Sequence, residues 1–510
     1  MRLLTAVLAA GLAAHPLAAQ AVERTDTPRR GLLRLTFDPS VVAWDEVFGP
    51  SGRVSLGAPL SGDSVGPARI PALAQLQQDI RTAGRVPGFV AALGKSLLAV
   101  RNEQRILPVN LQLGLSDRLA LGVLVPFVRV RTRAHLAIDS TSGSLGLNPR
   151  RAGVAGADSA YTDFFTRYDA TLAQFDANIG AGGYGCPPSR QCQAQQVLDS
   201  AIAIRDALDR SANAPFLPRA GSDGGLGIDT TLAHLQDEIA TTYSVAGLPD
   251  TFLLPAGPLT ADQFQTVVSD SANGFGVAPL DDNPLYRAYY LGDVELSLKY
   301  RAIVRPSYAL ALTGLLRLPT GHLDNPRILF DVPTGDHQTD IEGRVIQELT
   351  VAKFLWLNLS LRAAHQFAGS RERLVAAPTD FLVLHPAFET LAWKPGDYAA
   401  IDFAPLVRLT PYFAVGMTTG YFVKREDRYS YRDPADSAAV TATEGAPVAA
   451  GVLDAGTAAH WWRLGAAITY LGPSGIEGGF SMERTVSGAG RLTPAAMVWR
   501  IVFRTSRRLF

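Results

Sequence analysis

The sequence predicts an all-β, membrane-spanning chain: an antiparallel up-and-down outer-membrane β-barrel of about 12 strands with a largely helical extracellular insertion. Three observations carry that expectation. Apolar residues return at every second position in segments of about ten residues, the length a tilted strand needs to cross a bilayer. The links between these segments alternate between very short and long. Beyond the N-terminal leader no run of 18 apolar residues occurs, so strands rather than helices must do the crossing.

The leader is residues 1–21. Arg2 supplies a positive start and Leu3 to Leu12 an apolar core, which His15 and Pro16 end. The small residues around Ala19 and Ala21 offer cleavage, so the segment reads as a secretory signal peptide. Residues 22–131 are expected to hold the first barrel strands and a long extracellular loop, 132–288 a helical cap or plug, and 289–510 the remaining strands.

In order, the expected strands are 31–37, 106–115, 118–131, 290–303, 308–318, 343–351, 354–366, 398–409, 412–424, 459–471, 475–486 and 494–504. The alternation is plain in Leu119, Leu121, Val123 and Val125, in Val294, Leu296, Leu298 and Tyr300, and in Leu355, Leu357, Leu359 and Leu361. Short links fall at Ser116-Asp117, Arg305-Pro306-Ser307, Ala352-Lys353, Thr410-Pro411 and Gly472-Pro473-Ser474, with long ones between them. Short turns inside and long loops outside follow the outer-membrane rule, and an even strand count puts both termini in the periplasm. A further period-two stretch at 381–393, with Phe381, Val383, Leu391 and Trp393, would break that parity and is read as loop. A soluble β-sandwich also alternates, but its strands are shorter and its turns are not sorted by length.

Composition narrows the function. Lys plus Arg is 47 and Asp plus Glu is 47, so no basic excess points to nucleic acid. Mean hydropathy is +0.09, too low for a bundle of membrane helices. The eight histidines include no His-x-x-x-His pair, no Gly-x-Ser-x-Gly elbow or phosphate loop occurs, and neither a metal nor a cofactor is expected. An outer-membrane phospholipase would carry a His-x-Ser sequence; there is none, and the chain reads as a non-enzyme. Oxygen ligands at Asp324, Asn325, Asp331, Asp336 and Asp340 suit calcium; the alternative is solvated carboxylates capping turns.

Within 132–288, Phe164, Tyr168, Leu172, Phe175 and Ile179 recur at helical spacing, as do Val197, Ala201, Ile204 and Leu208, then Leu232, Leu235, Ile239 and Tyr243. Asp158 and Thr230 are expected N-caps. Cys186 and Cys192, with Pro187 and Pro188 between, are expected to form a disulfide tying the first helix to the second.

On the inward faces the strands carry Asp293, Glu295, Lys299, Arg301, Arg317, Glu348, Arg362, Asp402, Arg408, Arg463, Glu477 and Glu483. These charges either pair into a network that fills a narrow barrel or form the constriction of a pore. Their mixed sign argues against strong ion selectivity.

Two resemblances extend this reading. The chain ends in Phe510, behind the alternating Trp499, Ile501 and Phe503, and so resembles barrels whose last strand is read by the barrel-assembly machinery. Phe510 falls on the opposite face from the odd-numbered series, which requires a bulge near Thr505 or a trailing end. Leu111-Gln112-Leu113-Gly114-Leu115-Ser116-Asp117-Arg118 with Val125-Pro126-Phe127, Leu291-Gly292-Asp293-Val294 with Leu298-Lys299-Tyr300-Arg301, Leu318-Pro319-Thr320-Gly321, and the Gly335-Asp336 to Asp340 stretch resemble the outer-membrane transporter family associated with the meta-cleavage pathway of phenol degradation. That resemblance implies a closed barrel passing small apolar or aromatic solutes. The expected function is therefore an outer-membrane channel or transporter gated by its extracellular loops, with a structural or surface-interaction barrel as the alternative and a lipid-modifying enzyme a distant third. The expected partners are outer-membrane lipids, the assembly machinery and a small solute that the sequence does not name.

Overall fold

A strand with one apolar and one polar face can cross lipid only if every edge is paired, and here the sheet closes on itself. The computed structural model describes residues 23–49, 52–280, 288–377, 380–472, 476–491 and 493–508; the leader and Phe510 lie outside them. One 14-stranded antiparallel sheet forms the wall. It makes twelve staves, because two of them are broken strands. The first stave is β1 (Leu32–Phe37) and β2 (Ser40–Trp44), interrupted at Asp38-Pro39. The long hairpin β3 (Lys95–Gly114) and β4 (Leu119–Asp139) follows. Tyr290–Leu291 and β5 (Glu295–Val304) share the next stave. Then come β6 (Tyr308–Arg317), β7 (Asp340–Ala352), β8 (Leu355–Gln366), β9 (Tyr398–Arg408), β10 (Phe413–Lys424), β11 (Ala459–Leu471), β12 (Glu477–Ala489) and β13 (Met497–Arg508).

The barrel closes where β13 meets the first stave. Leu32 to Phe37 pair with Arg508 to Phe503, and Ser40 to Ala43 with Arg500 to Met497. The ladder along β1 keeps its register through Thr505 to Arg508, so of the two alternatives for the chain end the bulge near Thr505 is absent, and the end at Phe510 lies outside the described residues. Both described chain ends lie at the end of the barrel that carries the short turns.

Outward positions are apolar and exposed, as at Leu121, Leu298, Leu312, Ile401, Ile468 and Ile501. Charged and polar side chains gather on the inward positions and are buried there, as at Glu295, Lys299, Arg317, Ser360 and Arg463. The outer apolar band is what a lipid environment requires of a barrel wall. Leu359 faces out, beside Phe403 and Gln347, while Ser360 is 3% exposed and faces the lumen. A lipid-facing arginine near the bilayer midplane costs about 2–4 kcal/mol. Leu359→Arg is therefore expected to lower the yield of heat-modifiable, membrane-inserted protein, and Ser360→Ala to leave it unchanged. Equal yields from the two variants would mean that the register of β8 is wrong.

The hairpin β3–β4 is longer than the alternation of lipid-facing residues foretold. Above the barrel its apolar face inverts: Leu107 and Val109 face out below, whereas Leu98, Val100, Val130 and Leu136 face in and are buried above. Against this inner face packs a cap of helices: α1 (Leu73–Ala83), α2 (Ala157–Gly180), α3 (Gln193–Asn213), α4 (Asp223–Thr241) and α5 (Ala261–Ser269). The expected apolar spacing is seen in α2, where Phe164, Tyr168, Leu172, Phe175 and Ile179 are buried. The caps differ from expectation. Gly156 is the N-cap of α2, with Asp158 in its first turn, and Ser222 rather than Thr230 caps α4. Helix α4 begins early, through Gly224, Gly225 and Gly227, because it passes close to the α1 region: a Cβ at Gly224 would lie 2.9 Å from Ile80 Cγ2 and 2.6 Å from Phe89 Cε2. Cys186 and Cys192 are bonded, and they link the end of α2 to the start of α3.

The stretch near 381–393 resolves without spoiling the strand parity. Phe388–Lys394 is a strand, but it pairs with Gly369–Leu374 and Arg428–Ser430 in a separate three-stranded sheet. Phe381 instead enters the cap core, 5.8 Å from Phe330 by ring centroids. The last helix, α6 (Pro434–Glu444), covers this small sheet.

Candidate functional site

Inward side chains of a twelve-stave barrel converge on a narrow space, so charges there must pair or face trapped water. Arg317 is 2% exposed and donates to Glu295 and to Asp340, each at 2.9 Å. Arg344 pairs with Glu342 and reaches Glu23 at 3.6 Å and Glu295 at 3.9 Å. Across the lumen Asp402 accepts from Arg362 at 2.8 Å and from Arg463 at 2.9 Å, and Arg463 also faces Glu483 at 3.4 Å. Glu477 accepts from Arg504 at 2.8 Å.

The structure thus brings most of the inward charges read from the sequence into one lumen. Asp293 accepts from the backbone N–H groups of Gly321 and Asp336, and Lys299 donates to the carbonyl of Arg24. Two stand apart. Arg301 is half-buried, and among the described residues its Nε has no partner. Arg408 is exposed, beside the short turn that follows β9, and does not join the lumen network. Glu342, Arg344, Arg500 and Tyr398 belong to the lumen but were not singled out, although Glu342 and Arg344 alternate with Ile341, Gly343 and Val345 and that signal was readable.

The short-turn end of the lumen is stopped by the chain itself. Residues 23–30 run across it before β1 begins. Arg24 bonds Glu477 at 2.9 Å, lies 3.8 Å from Glu348 and stacks over Trp356 at 5.4 Å. Glu23 accepts from Ser360 through its side chain at 3.3 Å and from Asn358 through its carbonyl at 2.6 Å. Thr25 donates to Glu348 at 2.5 Å, Asp26 accepts from Arg34 at 2.6 Å, and Thr27 donates to the carbonyl of Asp117 at 3.2 Å.

The opposite end is stopped by the link between β6 and β7. Its residues 319–339 fold back into the mouth, where Gln104 donates to the Pro333 carbonyl and Thr132 to the Phe330 carbonyl. Gly335 permits this approach, since a Cβ there would lie 2.3 Å from Asp293 Oδ2. The acidic residues of this lid are buried and engaged, not solvated. Asp324 is held by Arg371 and by Arg373, the latter at 2.8 Å. Burial alone would raise its pKa, but the two guanidiniums outweigh that and hold the carboxyl well below the usual range. Asp331 accepts from the N–H groups of Asn325 and Val332. Burial, then the neighbouring carboxylates of Asp340 and Asp293, push Asp336 well above the ordinary aspartate value.

Between the two stoppers lies a cavity of about 90 Å³, bounded by Glu23 at one end and Thr334 at the other. An apolar stripe on β3 and β4, made of Ile106, Pro108, Leu124, Pro126 and Val128, runs through its lining. Polar and charged groups flank that stripe on both sides, Gln104, Asn110, Asp38 and Arg500 on one and Asp293, Glu295, Lys299, Arg317 and Arg344 on the other.

No protein-family model matches the chain, and no curated protein matches it. The likeness to the phenol-pathway transporters therefore rests on the short segments quoted above. Among solved structures, the chain is similar to an outer-membrane channel from Pseudomonas putida F1, at 7% identity and a TM-score of 0.42 over 95% of this chain and 100% of that one. It is similar to the P. putida toluene transporter TodX at 8% identity and 0.27, over 95% and 91%. A Pseudomonas aeruginosa FadL homologue matches at 8% and 0.25, over 94% and 90%. These likenesses are distant, and the twelve-stave barrel is read from the strand register itself.

Proposed function

We propose that this protein is an outer-membrane channel or transporter for small solutes that carry an apolar, often aromatic, body and a polar group. The observation that supports this reading is the chamber, stoppered at both ends, in which an apolar stripe on β3 and β4 lies beside charged groups. A ligand-binding cavity combines apolar surface with a few placed polar groups, and here the apolar face would take the body while Arg317, Lys299 and Asp293 orient the polar group. A barrel kept only as a scaffold has no need of an apolar inner stripe.

In this reading the short-turn end, with both termini, is periplasmic and the capped end faces outward. The lid 319–339 and the cap above it gate entry, and residues 23–30 gate exit. Phe330 and His337 hold left-handed backbone, at φ 64° and 52°, within the lid. Strain of that kind gathers where a segment has a second conformation to adopt. The charged lining is committed to ion pairs and to backbone hydrogen bonds rather than to a nucleophile and its base, in keeping with transport rather than catalysis.

The purified protein is expected to give brief, discrete conductance steps in planar bilayers, and a strain lacking it to take up small aromatic acids or phenols more slowly. A folded protein that never conducts, in a strain whose uptake is unchanged, would favour the structural barrel.

A further inference from the structure

The outward face of the two longest strands changes character at one level. On β3 and β4 the outward residues are apolar from the short turn up to Leu107 and its register partner Phe127. The next outward rungs are Arg105 opposite Arg129, Glu103 opposite Arg131, and Arg101 opposite Arg133. Five guanidiniums and one carboxylate therefore occupy three successive rungs just beyond the lipid-facing band.

Such an arrangement is costly in isolation, because like charges directly opposite on antiparallel strands repel. Arg105 pairs with Glu103 at 2.7 Å; among the described residues Arg101, Arg129, Arg131 and Arg133 have no ion-pair partner. A surface pocket of about 140 Å³ lies among Glu103, Arg105, Arg129 and Arg131. Four arginines left without a carboxylate, two of them (Arg129 and Arg131) lining an open pocket and the other two on the next rung, call for an anion from outside the chain. Guanidinium binds phosphate through paired, charge-assisted hydrogen bonds, and basic clusters at this level of a membrane protein meet lipid phosphates.

We infer that this patch binds the phosphates of an outer-leaflet glycolipid of the lipid A type. The two like-charged pairs, Arg105/Arg129 and Arg101/Arg133, are four residues apart along the strands, about 13 Å at the usual rise. That spacing fits a headgroup with a phosphate at each end of a disaccharide better than a phospholipid with a single phosphate. The assignment rests on the proposed orientation, in which the capped end faces outward.

Native mass spectrometry of the full-length protein in detergent tests it, with bisphosphoryl lipid A, monophosphoryl lipid A and phosphatidylglycerol as separate probes. Bisphosphoryl lipid A should be retained best. The double variant Arg129→Gln/Arg133→Gln should weaken its retention about tenfold, the loss of one or two charged hydrogen bonds, with heat-modifiable mobility unchanged. Glu103→Gln, which removes the competing carboxylate, should strengthen retention, an outcome that misfolding does not produce. Equal retention of the three probes, or of bisphosphoryl lipid A by wild type and double variant, overturns the inference. Because binding in detergent is blind to orientation and to transport, a separate measurement checks orientation: a Ser159→Cys variant labelled in intact cells by an impermeant maleimide. Labelling only after lysis would overturn the orientation, and with it the outer-leaflet assignment, whatever the conductance traces show.

Discussion

Removing residues 23–30, with Val22 joined directly to Gly31, should raise single-channel conductance several-fold and turn brief openings into a steady current. The segment is the stopper at the short-turn end. It is held by Arg24 to Glu477 at 2.9 Å, by Glu23 to Asn358 and Ser360, and by Lys299 to the Arg24 carbonyl. These contacts close no strand ladder, since β1 pairs with its neighbours from Leu32 onward, so the barrel wall should survive their loss. The remaining charges, Glu348, Glu477 and Arg344, would face water instead of chain, which relieves rather than deepens their burial. Arg24→Ala alone should give an intermediate phenotype, with flickering current and a barrel of normal heat-modifiable mobility. Conductance of the shortened protein equal to that of the full chain would place the restriction elsewhere, in the lid 319–339 or the cap.

The staves were legible because lipid imposes period two on the outward face of every one of them, and the strand parity followed from link lengths alone. The lumen charges were legible for the converse reason: a charged residue between two outward leucines has only the interior to occupy. Four features were not. The chain from Glu23 to Arg30 crosses the lumen without any repeating pattern, and its partners are distant in sequence, so nothing local marks it. The upper hairpin keeps period two, but its apolar face turns inward toward the cap. Outward arginines there replace the leucines that mark a lipid-facing strand, and a search for such a face stops at Leu107 and Phe127. Helix α4 starts in Asp223-Gly224-Gly225, where propensity argues for a loop; close packing against Ile80 and Phe89 overrides it. The mouth-closing lid presents in sequence only an acidic loop that calcium or solvent would satisfy equally, whereas Arg371, Arg373 and backbone N–H groups satisfy it.

Arg317→Ala should be the most destabilising single change in the lumen. Glu295 and Asp340, 5% and 0% exposed, would lose the guanidinium that both share at 2.9 Å. Breaking a buried pair by removing one partner costs about 3–5 kcal/mol, because the other charge stays buried without compensation. Arg344, 3.9 Å from Glu295, moderates the loss on that side, and nothing comparable serves Asp340 beyond Gln366 at 3.3 Å. Urea unfolding of the vesicle-inserted barrel measures the effect. The neutral triple variant Arg317→Met/Glu295→Gln/Asp340→Asn should recover most of it, since a buried ion cluster replaced whole by groups of similar size often loses little. Equal destabilisation by the single and triple variants would show that packing, not charge compensation, holds this part of the lumen. The same triple variant separates the two roles open to the network. If the charges only fill the barrel, its conductance and uptake should match wild type once stability is restored. If they orient the polar group of a solute in the chamber, uptake should fall while the barrel remains folded, because the apolar stripe of Ile106, Leu124 and Val128 would then lie beside groups with no charge to offer.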